Sequence, residues 1–216
     1  PYLHKRGVRS IDFDVGRQTF SQSDHKYWHF VDETKNWKIT LASDFISLDT
    51  RKYVSREDFL CRLGKILNDL HDTIRPTHVT RIGVRYVDRV SLTGGLPLGS
   101  MLRPQLVGLA ASEWDQQVER VTSEVVASVP EGTLLARWGK LPQSATHDPD
   151  NMPPIAQPSW FLDIDAFALH QNPEPFAVRD VVDTANALAR RCYTFFRWAV
   201  KEEFLKAFGG SNAGNN

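Results

Sequence analysis

Cysteine, net charge and recognisable catalytic motifs are all scarce in this chain, and each scarcity removes a class of protein. Only two residues, Cys61 and Cys192, are cysteine, too few for a disulfide framework at this length. Both fall inside apolar helical patterns and read as buried thiols acting as small hydrophobes. Lysine plus arginine equals aspartate plus glutamate, 26 of each, so the formal net charge is zero. A dedicated nucleic-acid binder would be strongly basic; nucleic acid is therefore not the favoured partner, although a local basic patch remains compatible with the composition. No run approaches the ~18 apolar residues of a membrane span, and no signal-peptide core is visible, so no membrane association is expected and the expected location is the cytoplasm. The first residue is Pro1 rather than Met, which leaves room for further N-terminal sequence.

The chemistry-bearing motifs are missing in the same way. There is no Gly-rich phosphate loop, nucleophile elbow or dinucleotide fingerprint, and Gly94-Gly95 is a turn signal. The seven histidines (His4, His25, His29, His71, His78, His147, His170) are scattered without metal-ligand spacing, and solvated or singly bonded imidazoles are the ordinary reading. No metal, cofactor or catalytic residue is expected. His147-Asp148 falls in a Pro-rich loop and has no further support as a catalytic pair.

What is present is an ordinary globular composition, 41% hydrophobic and 24% charged, enough for one large domain or two small packed halves. Tyr27–Val31 and Trp37–Leu41 are β-prone runs joined by a polar turn, and Asp44–Thr50 alternates like a half-buried strand. Ser55 reads as the N-cap of a helix with an acidic first turn, its apolar face carried by Phe59, Leu60, Leu63, Ile66, Leu67 and Leu70, stopped by Pro76. Thr77–Leu92 is the longest strand candidate. A short helix is expected within Leu96–Ala111, and a hairpin from Gln117–Val129 and Thr133–Trp138 around Pro130-Glu131-Gly132. Lys140–Pro158 reads as a long exposed loop and Trp160–Ala168 as a strand. One long helix is expected from Ala177 to about Phe208, ended by Gly209-Gly210. The tail, 209–216, is expected to be disordered.

The two halves, 1–76 and 77–208, repeat one order of elements. Phe45-Ile46-Ser47-Leu48-Asp49 aligns with Phe161-Leu162-Asp163-Ile164-Asp165, each followed by an aromatic residue entering a helix, Phe59 or Phe176. Convergent strand-to-helix grammar would give the same likeness. With an initial strand around Val8–Val15, or one contributed by preceding sequence, the expectation is a single α+β domain over 1–208. It would be a duplicated β-α-β-β-β-α unit, one curved antiparallel sheet with helices on one face and pseudo-twofold symmetry.

These segments also carry a resemblance. Trp37-Lys38-Ile39-Thr40-Leu41, Phe45 to Thr50 with Tyr53 and Phe59, Arg81-Ile82-Gly83-Val84-Arg85-Tyr86, and Phe161 to Asp165 with the following helix resemble a sporadically distributed family of uncharacterised prokaryotic proteins of roughly 250 residues. The likeness covers most of residues 20–208. It implies a prokaryotic origin and a domain type, and the family has no established catalytic residues. Families distributed in this way often sit among defence or toxin–antitoxin genes, which implies a defence-linked role.

One constellation stands out. Arg81, Arg85 and Arg89 share one side of the long strand by parity, with Tyr86 on the other. Their planar donors suit a phosphate, a carboxylate or an acidic partner surface. Equally, they suit a cross-strand ladder with Asp163, Asp165, Asp49 or Glu119, which the balanced charge favours. Gly83 would admit a close approach by a backbone or ligand, or mark a bulge. Asp163 and Asp165, without a third ligand nearby, pair more readily with these arginines than with a metal. Trp28, Trp37, Trp138 and Trp160 read as core residues on strands. The leading expectation is a non-enzymatic protein-binding or regulatory protein, its partner another protein encoded nearby. A small-molecule or nucleotide sensor using the arginine face and a nucleic-acid module stand behind it.

Overall fold

The computed structural model describes residues 2–14, 19–93 and 97–208, without the side chains of Tyr2, 4–25, 110 and 111. The expected turn at Gly94-Gly95, the stop at Gly209-Gly210 and the tail to 216 lie outside the described residues. The chain divides into two compact units, Pro1–Lys65 and Ile66–Asn216. Its class is α+β with antiparallel strands. These strands are distributed over two four-stranded sheets, where the sequence reading has one curved sheet.

In the first unit, β1 (Tyr2–Asp14), β2 (Thr19–Val31), β3 (Trp37–Leu41) and β4 (Ile46–Thr50) form a meander in chain order. The β2–β3 turn is closed by Asp32, whose carboxylate accepts from Thr34 Oγ1 and from the Trp37 backbone N–H. Helix α1 (Arg56–Thr73) starts where the sequence says it should: the Asp58 N–H donates to Ser55 Oγ at 3.1 Å, satisfying one of the orphan donors of the first turn. Trp37 rests against Phe59 at the head of the helix and under the Arg62 guanidinium, 4.5 Å from its centroid. Cys61 corrects an expectation, since it faces solvent; it lies beside the apolar stripe of α1, not on it.

The second unit begins its sheet with β5 (His78–Ser91) and continues with β6 (Val121–Val129), β7 (Gly132–Leu141) and β8 (Ser159–Pro175), in the spatial order β5-β8-β7-β6. Between β5 and β6 the chain crosses from one edge of the sheet to the other through α2 (Leu98–Met101), α3 (Pro104–Val107) and a short 3₁₀ turn. The β6–β7 hairpin turns at Gly132, where φ is +141° and a Cβ would sit 2.3 Å from the Phe167 carbonyl oxygen, so only glycine fits. Each unit thus holds a three-strand meander followed by a helix. Their outer strands differ: β5 pairs with β8, but β1 pairs with β2, so β1 is not the counterpart of β5 in the sheet order.

Helix α4 (Val178–Ala199) covers one face of the second sheet. Val181, Ala185, Leu188, Ala189 and Cys192 are buried on its inner stripe, with Ile82, Leu134, Ala136, Leu162, Ile164 and Ala166 buried on the strands. Arg191 clamps the β6–β7 turn to this helix by a two-pronged bond to Glu131 at 2.9 and 3.1 Å. The expected single helix to Phe208 is two. Val200 is extended and bridges Leu102, the Lys201 N–H donates to the Met101 carbonyl, and α5 (Glu202–Phe208) follows. The break lets the chain meet α2 edge-on, and the junction is dry: Met101, Leu102, Leu106, Val200 and Phe204 are all buried.

Candidate functional site

The other face of the second sheet carries the arginines, and the strand register sets out its rungs. Leu169 faces Arg81; Gly83, Phe167, Thr133 and Ser128 follow; then Arg85, Asp165, Leu135 and Val126; then Val87, Asp163, Arg137 and Glu124; then Arg89, Phe161, Gly139 and Thr122. Parity therefore places Arg81, Arg85 and Arg89 together as expected, and Tyr86 on the α4 side opposite Ile164.

Each arginine meets a different fate. Arg85 grips Asp163 with two bonds of 2.7 Å, Nε to Oδ1 and Nη2 to Oδ2, and its Nη2 also reaches Asp148 Oδ2 at 2.7 Å. Asp163 is 3% exposed, so this fork compensates an otherwise isolated buried charge. The hydrogen bonds to Asp163, against the cost of burial, hold the Arg85 guanidinium more firmly protonated than usual.

Among the described residues Arg89 meets only neutral acceptors, Ser159 Oγ and the carbonyls of Pro153 and Ala145. Burial accordingly lowers its pKa. Arg81 bends along the strand over Gly83 and Phe167, its guanidinium 4.8 Å from the Phe167 centroid, to a single 3.3 Å contact with Asp165. A Cβ on Gly83 would lie 2.9 Å from the Arg81 Nη1. The close approach that Gly83 admits is thus made by Arg81 itself. The irregularity in β5 falls earlier, between Val79 and Arg81. Burial raises the Asp165 pKa, opposed by the charges of Arg81 and Arg85.

Among the named charge partners, Asp49 stands in the other sheet. It lies opposite Lys38, 3.6 Å from its ammonium, and accepts from Ser47 Oγ. Glu119 precedes β6, and the acidic rung on that strand is Glu124, bonded to Arg137 at 2.6 Å.

The loop that follows β7, expected to be exposed, is the main correction. It folds back over the Arg89 end of this face. Met152 is buried with Leu141 and Phe161, Ala145 and Val87 pack against them, and the His147 ring stacks on Phe161 at 5.0 Å. Its polar composition serves its own turn: Asp148 accepts from the N–H groups of Asp150 and Asn151 and from the Asn151 amide. Although partial burial raises the Asp148 pKa, these bonds and the Arg85 guanidinium bring it down to about 2. No periodicity announces such a loop; the signal available was the density of Asp, Asn, Ser and Thr that can close turns, together with Met152.

This cluster is a clasp. His147 Nε2 is 3.9 Å from Asp163 Oδ2, outside hydrogen-bond reach, and both Asp163 oxygens are held by Arg85. Among the described residues no three His, Cys, Asp or Glu side chains converge as a metal set, and no helix is long and apolar enough to cross a membrane.

Beyond the loop the sheet face is open. Leu169 is 65% and Val126 64% exposed, with half-buried Phe167 beside Leu169 on β8 and half-buried Leu135 on β7 between them. Arg81, Asp165, Arg137 and Glu124 flank them on the same face. The chain matches no known family model, no curated protein and no solved structure.

Proposed function

We propose that the protein is a binding or regulatory protein without catalysis of its own, and that it holds another protein on the open half of the arginine-bearing face. The observation that carries this reading is the exposure of Leu169 and Val126 on one sheet face beside alternating charges of both signs. Apolar anchors rimmed by mixed charge suit a protein surface. A nucleic-acid site would need a surplus of positive charge there, whereas each arginine on this face is matched by a carboxylate or by carbonyl groups. An anion sensor on Arg81 and Arg85 would need free donors, whereas Arg85 points into the clasp and Arg81 lies over Phe167 against Asp165. A regulatory role in a prokaryotic defence or toxin–antitoxin setting is supported by the resemblance of the strand motifs.

The test is co-purification from source cells with tagged wild type and Leu169→Glu. The variant changes an exposed position and keeps the wild-type melting temperature. A partner recovered in near-equal amount by the wild type and lost by the variant supports the reading. Failure of the wild type to retain any stable partner removes it.

A further inference from the structure

Strand β6 forms an outer edge of the second sheet, and among the described residues no group outside β7 bonds to it. Its outward N–H and C=O groups therefore face solvent, a template for a further strand. Natural edges are blunted by charge, proline, bulges or shortness. The β5 edge has a bulge and Arg81, Arg85, Asp88 and Arg89; β4 is five residues long and carries Asp49. By contrast β6 is nine residues, Val-Thr-Ser-Glu-Val-Val-Ala-Ser-Val, paired to β7 without interruption. Its one charge, Glu124, is held by Arg137.

The order of side chains identifies the occupant. Laid antiparallel on itself about Val125, the strand sets Val121 opposite Val129, Thr122 opposite Ser128, Ser123 opposite Ala127 and Glu124 opposite Val126. Apolar residues meet at both ends, small or hydroxyl residues meet inside them, and the carboxylate faces a valine, not another carboxylate. The centre of the two-fold is the most open part of the strand, with Val125 36% and Val126 64% exposed. Because Val125 meets Val125, both copies keep their inside and outside faces in step, as a continuous sheet requires. We propose that two copies of this chain pair through β6 into one eight-stranded sheet with an isologous, two-fold interface. This goes beyond the docking of another protein on the open face: Val126 borders both surfaces, but Leu169 lies on β8 away from the β6 edge, so the Leu169 test and the self-association of the wild type can fail separately.

Analytical ultracentrifugation of the full chain over a concentration series, with three proteins, tests it. The wild type is expected to dimerise reversibly. Val126→Glu places a carboxylate opposite Glu124 of the other copy, twice per dimer, and should weaken association about tenfold. Val126→Lys places an ammonium opposite that same Glu124 and should leave association unchanged or tighter. Since Val126 is exposed, both variants are expected to melt with the wild type. A wild type that stays monomeric throughout overturns the proposal. So does a dimer that both variants weaken alike, or one that neither variant affects, because the register then is not the one given.

Discussion

Replacing Asp88 by asparagine should stabilise the protein, and only above a definite pH. Strand β5 delivers Asp88 to the α4 side of the sheet, opposite the buried Leu162 and one rung from Val90, whose partner Trp160 is buried. No hydrogen bond or ion pair with a described residue reaches its carboxyl, and burial alone pushes its pKa from 3.8 to about 6. A raised acid means that the folded state holds its proton longer than the unfolded chain. Below about pH 4 both states are protonated and the residue costs nothing. Between about 4 and 6 the unfolded chain has released its proton first, so stability falls as pH rises; above about 6 the cost is complete. About two pH units at 1.36 kcal/mol each give about 3 kcal/mol. Asparagine keeps the shape and removes the charge. Urea unfolding of wild type and Asp88→Asn should therefore show a gain of about 3 kcal/mol near pH 7.5 and almost none near pH 4. A gain of equal size at both values, or a loss near pH 7.5, would refute the assignment of the cost to ionisation.

Further outcomes follow from the clasp and the thiols. Arg85→Met strands the buried Asp163 carboxylate and should cost about 3–5 kcal/mol in the same unfolding assay, most of it recovered in Arg85→Met/Asp163→Leu. Asp148→Ala removes the loop's hold on Arg85 and should leave the melting temperature within a few degrees while speeding limited proteolysis between residues 142 and 158. Because the Asp148 pKa lies below 3.8 in the folded state, its contribution is present above about pH 4 and lost as pH falls towards 2. A disulfide reagent at neutral pH should titrate one thiol quickly, the exposed Cys61. Cys192 is buried, with its pKa pushed up to about 12, and should react only on unfolding.

The elements that carry a period are legible in the sequence. Alternation marked β4 and β5, the Ser55 cap and its apolar stripe marked α1, and parity alone set Arg81, Arg85 and Arg89 on one face and Tyr86 on the other. What failed to show was long-range. The partition of the strands into two sheets depends on which edges meet, and alternation is silent on that. The break at Val200 was hidden because Phe196, Ala199, Val200 and Phe204 continue an apolar spacing across it. The helix ends there for a tertiary reason, the bridge from Val200 to Leu102 and the bond from Lys201 to Met101.

The loop over the arginine face shows why side-chain type underdetermines a site. Three arginines at every fourth position of a strand present the same sequence pattern whether their donors are free or spent. Two of them, Arg85 and Arg89, are spent partly by 142–158, a segment whose Asp, Asn and Thr content marks it as polar without showing that those groups bond to each other and leave Met152 for the core. Asp163 ties the two together: buried on β8, it fixes the Arg85 guanidinium in the place from which Asp148 can be reached. The clasp thus leaves the open half of the face to Leu169, Phe167, Leu135 and Val126. Arg85 and Arg89 shape that face by holding the loop over its other end, and the exposed apolar residues of the open half are left beside charges of both signs.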